Sequence, residues 1–78
     1  MKVSGRGQFV WVTFEGRTVA AMVGLAAPNG ESAILLFEGI LGGYVGMMPI
    51  AWQETGEYAD LLTGRPVVVT PYPSEQEA

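Results

Sequence analysis

Apolar side chains recur along this chain in short runs, cut at close intervals by glycine, proline and small polar residues. Residues 8–14 read QFVWVTF, rich in the aromatic and β-branched side chains that suit a pleated surface. Glu15-Gly16 behind them predicts a two-residue hairpin turn. Residues 18–25 then alternate, with Val19, Ala21, Val23 and Leu25 on one face and Thr18, Ala20, Met22 and Gly24 on the other. The small residues of the second set predict the close approach of another backbone. Ala27-Pro28-Asn29-Gly30 is a turn signal. Residues 32–41, SAILLFEGIL, and 44–52, YVGMMPIAW, predict two strands about Gly42-Gly43, the second with an edge or a bulge at Pro49. A polar loop at 53–57 leads to a last hairpin, 58–62 with 66–70, across Thr63-Gly64; Pro71 and Pro73 end the sheet.

No stretch keeps a helical stripe without interruption. The pattern predicts an all-β fold, five to six short strands in a small antiparallel barrel or a compact two-layer meander. Residues 1–72 form a single β domain, and 73–78 read as a polar, acidic tail.

Residues 8–39 resemble the opening of an Sm-like or SH3-type small barrel. The resemblance lies in the succession QFVWVTF, EGR, TVAAMVGLA, APNGE and SAILLFEG. It implies a barrel that forms rings. It does not carry over RNA binding, because the asparagine and basic loop residues that serve it in that family have no counterparts here. Residues 57–69, EYADLLTGRPVVV, resemble a hairpin of the accessory C-terminal β domain of α-amylase-type enzymes.

Composition sharpens the picture. Hydrophobic residues make up 49% of the 78 and charged residues 15%, against about 25% charged in an average soluble domain. More surface than usual is therefore apolar, and contiguous apolar surface marks interfaces. The net charge of −4, with Lys2, Arg6, Arg17 and Arg65 scattered, argues against nucleic acid and anionic membranes as partners. There is no cysteine and no histidine. That excludes disulfides, Cys/His zinc sites and imidazole catalysis, and no cofactor or metal is expected. The missing cysteines fit a reducing, cytoplasmic compartment. The N-terminus lacks the apolar core of a signal peptide. The only lysine, Lys2, is expected in a mobile terminus.

Catalytic chemistry finds few parts. Hydroxyls lack a base to activate them, and the glycine-rich 39–46 lacks the Lys-Ser or Lys-Thr of a phosphate loop. Glu38, inside an apolar strand, is the one acid that stands out, either as a tuned acid or paired with Arg17 or Arg65. No enzyme activity is expected. Residues 33–52 carry one charge and small-xxx-small spacing, enough for a membrane helix. Gly42-Gly43, Pro49, Glu38 and the absence of flanking cations favour two strands instead.

The expected function is a small-barrel assembly or adaptor module, a homo-oligomer. Residues 32–41 and 44–52 are apolar on both faces, and a barrel has only one interior. The candidate contact residues are Trp11, Phe37, Tyr44, Met47, Met48, Trp52 and Tyr58. The alternative is a carbohydrate- or peptide-binding module using Trp11, Trp52 and Tyr58.

Overall fold

The period-two pattern becomes six antiparallel strands: β1 (Phe9–Phe14), β2 (Arg17–Ala26), β3 (Ser32–Leu41), β4 (Tyr44–Trp52), β5 (Tyr58–Asp60) and β6 (Pro66–Pro71). The structure is a computed structural model and describes residues 2–72. The tail at 73–78 lies outside the described residues. Each strand pairs with its neighbours in sequence, and β6 pairs with β1, so the sheet closes. The barrel is realised and the two-layer meander is not. No helix among the described residues is long and apolar enough to cross a membrane; residues 33–52 lie in β3, β4 and their turn.

Alternation sends one side of every strand inward. Val10, Val12 and Phe14 of β1 meet Ala21 and Val23 of β2, Leu35 and Leu41 of β3, Met48 and Ile50 of β4, and Val67 and Val69 of β6. Burial of this kind supplies most of the folding free energy, about 25 cal/mol per Å² of apolar surface.

Two irregularities shape the outer surface. The β2–β3 register shifts between Val23 and Leu25. The bulge turns Leu25 out of the barrel, against the simple alternation that places it with Val23. Beside it, Gly24 is approached by a side chain and not by a backbone: a Cβ there would lie 2.8 Å from Leu36 Cδ1.

The second irregularity lies in β3. Leu36 pairs with Met47 and Ile40 with Val45, so β3 takes four steps where β4 takes two. Gly39, at φ +84°, supplies a backbone conformation that side chains rarely adopt. The β2–β3 ladder runs only from Met22 with Leu36 to Ala26 with Ala33. Residues 17–21 of β2 therefore pair with β1 alone.

Both ends of the barrel are tied by polar groups. At one end, buried Val3 donates its N–H to Tyr58 Oη at 2.9 Å, and that hydroxyl donates to the Gly30 carbonyl. Burial raises the Tyr58 pKa, and the bond from Val3 only partly opposes it. Lys2 is not loose: it pairs with Glu31 at 3.4 Å and lies 5.4 Å above the Trp52 ring.

At the other end, β5 stops at Asp60 and not at Leu62. The Asp60 carboxylate accepts from the Thr63 hydroxyl and from the amides of Thr63 and Gly64, at 2.7–2.8 Å. This closes the loop at 61–65 and leaves Leu61 and Leu62 exposed. Burial alone would raise the Asp60 pKa. Bonds from the Thr63 hydroxyl and the amides of Thr63, Gly64 and Arg65 outweigh it and hold the carboxyl below its ordinary value.

Candidate docking surface

The outer face of the β3–β4 hairpin follows from its register. Leu36 stands opposite Met47, and Ile40 opposite Val45. All four point outward, exposed to 36% at Leu36, 55% at Ile40, 74% at Val45 and 51% at Met47. Opposed side chains on neighbouring strands lie within van der Waals reach, so the four make one apolar patch on a barrel whose interior is already filled.

The alternation also corrects the expected contact set. Tyr44, Met48 and Ile50 share the inward face of β4, and Met48 is fully buried. Tyr44 packs edge-on against Phe14, ring centroids 6.3 Å apart. Tyr58 is enclosed as well, its hydroxyl engaged by Val3 and Gly30. Met48 and Tyr58 therefore offer no surface, and Tyr44 reaches it only as a wall of the recess by the Asp60 loop. Met47 is exposed, Trp11 is half-buried on β1, and Phe37 and Trp52 lie half-buried against the edge of the core.

The three-residue aromatic platform of the alternative reading is not assembled. Trp11 packs on Tyr72 at 4.7 Å, while Trp52 packs on interior Tyr58 at 4.9 Å.

Glu38 has neither of its expected partners. The Arg17 guanidinium donates to the Ile40 carbonyl at 3.0 Å, and Arg65 pairs with Glu15. Glu38 is exposed, at the rim of a groove that no pattern of residues signals directly. Where β3 bends away from β2, the two strands open as a fork. The groove in this fork has a volume of about 710 Å³. Phe9, Trp11, Ala20 and Met22 line one side, Leu36 and Phe37 the other. A smaller recess of about 260 Å³ lies by the Asp60 loop, between Glu15, Tyr44, Thr63 and Arg65. Its one buried acid, Asp60, is already engaged by its own loop.

No family model, no curated protein and no solved structure matches this chain. The resemblance to Sm-like barrels rests on spacing and that to the amylase-type hairpin on one hairpin; these comparisons support neither, and function must be argued from the surface itself.

Proposed function

We propose that this protein is a small-barrel assembly module that binds copies of itself through the outer face of the β3–β4 hairpin. The carrying observation is the patch of Leu36, Ile40, Val45 and Met47, two cross-strand pairs exposed together on a filled barrel. Full burial of such side chains is worth about 1.5–3 kcal/mol each, and the part still in water is what a partner gains. A second copy supplies an identical patch, and isologous contact about a two-fold axis is the commonest way to cover one. The β3–β4 hairpin lies within the closed ladder, away from the unpaired edge at residues 17–21 of β2, so association there is face to face.

Neighbouring methionines test the reading. Light scattering after size exclusion should give a mass that is a multiple of the 8.3 kDa chain at micromolar concentration. Met47→Glu and Val45→Glu should yield folded monomers with an unchanged β-type circular dichroism spectrum. Met48→Glu should unfold the domain, because it places a charge in the core. A wild-type chain that stays monomeric at high concentration would overturn the proposal.

A further inference from the structure

The fork between β2 and β3 leaves main-chain groups without a strand partner. Val23 donates its N–H to the Gln8 carbonyl at 2.8 Å and accepts from Gly7 at 2.7 Å, so its main chain faces the β1 side. The β1–β2 register then runs without a shift from Phe9 with Met22 to Phe14 with Arg17. Main-chain direction alternates along a strand. Ala21 and Val19 therefore also face β1, while Met22, Ala20 and Thr18 face the β3 side. Met22 meets Leu36 there. Ala20 and Thr18 meet no strand, because β3 has left through its bulge.

We propose that this fork binds an extended apolar peptide segment of another polypeptide by strand addition, its main chain pairing with Thr18 and Ala20. The free edge selects the class of ligand. An extended peptide carries N–H and C=O groups at strand spacing, which is what these two residues lack. The walls select the side chains. Ala20 is small and leaves room beside Trp11 and Met22 for an outward residue of the peptide. Val19 and Phe37, half-buried at the rim of the core, receive an inward one.

Length and charge narrow it further. Residues 18–21 offer room for about four residues at roughly 3.3 Å each. Arg17, bonded to the Ile40 carbonyl, spans the open end of the fork, away from the Met22–Leu36 pair where the strands part. Glu38 stands exposed on the rim without an ion pair among the described residues. A lysine or arginine in the peptide complements it. The chain's own residues 73–78, with Glu75 and Glu77, do not.

The test uses the whole chain, ¹⁵N-labelled, titrated with acetyl-Lys-Val-Thr-Val-Thr-Val-amide. Saturable shifts at the Thr18 and Ala20 amides, with slowed hydrogen exchange at both, are expected. The same peptide N-methylated at alternate residues should bind about tenfold more weakly, the loss expected for a removed main-chain hydrogen bond. Replacing its lysine by glutamate should also weaken it, and Glu38→Gln should erase that difference. Val45, unlike Leu36, is no part of the groove lining, so Val45→Glu should break the assembly without weakening peptide binding. No saturable shift at millimolar peptide, or equal binding of the N-methylated peptide, would overturn the proposal. So would Thr18 and Ala20 amides already protected in the free protein, whether protection rises with protein concentration (a second copy) or vanishes on deletion of 73–78 (the chain's own tail).

Discussion

At β5, three residues join β4 to β6 because the polar groups around them find partners: Asp60 holds Thr63 and Gly64, Tyr58 holds Val3 and Gly30, and Leu61 N–H reaches the Pro49 carbonyl at 3.1 Å. Along residues 18–21 of β2 the arrangement is the reverse. There a longer strand runs beside its neighbour without pairing to it, between apolar walls. The short strand is thereby fixed and the long one left available. Buried polar groups with full partners specify a unique geometry. An opened ladder keeps hydrogen-bonding capacity that a ligand can use.

The largest test of this contrast is Asp60→Ala. It leaves the amides of Thr63 and Gly64 without their acceptor, and bonds to a charged group are the stronger kind. The loss should be about 3 kcal/mol in urea denaturation, within the range for a broken buried network. A loss near zero would mean that the loop holds itself. The same carboxylate fixes a pH dependence. Its folded pKa lies below its unfolded one, so its contribution is complete above about pH 4 and fades as pH falls through the folded value. Stability should decline on acidification in that window, and Asp60→Asn should flatten the decline.

Tyr58→Phe comes next. It removes the hydroxyl that accepts from Val3 and donates to Gly30, at a cost of about 1–2 kcal/mol. Equal urea midpoints for the two proteins would show that the N-terminal segment is held by Val3 packing alone. The smallest effect is a readout without mutation. In the free protein, hydrogen exchange should be fast at Thr18 and Ala20 and slow at Val67 and Asp60. Uniform protection would erase the distinction between the two regions.

Much of this was legible in the sequence, and the reason is alternation. A period of two assigns every residue of a regular strand to a face, so the bounds of β3 and β4 and the split of Met47 from Met48 follow once a barrel is assumed. Gly64 at φ +76° likewise matches the turn that its position requires. What alternation cannot reach is a change of phase. Leu25 leaves the face that alternation assigns it because a bulge at Gly24 resets the count, and the fork depends on where β3 stops following β2. By residue type Asp60 is one acid among several. The signal was present in its spacing to Thr63 and Gly64, which lets a carboxylate gather the amides of the turn that follows it.

The pairing of β6 with β1 has a kinetic side. Every other ladder in the barrel joins consecutive strands, so its halves meet after a short diffusive search. The closing ladder joins Val10 to Pro71 and Thr13 to Val68, across nearly the whole described chain. Loop entropy grows only logarithmically, so closure over this span costs on the order of 1.5 kcal/mol more than a hairpin of about ten residues. That is small beside the burial of Val12 and Val69, which meet across this ladder and are both in the core. The chain can thus complete a string of local hairpins first and commit to the native state in one late step, when its two outermost strands meet.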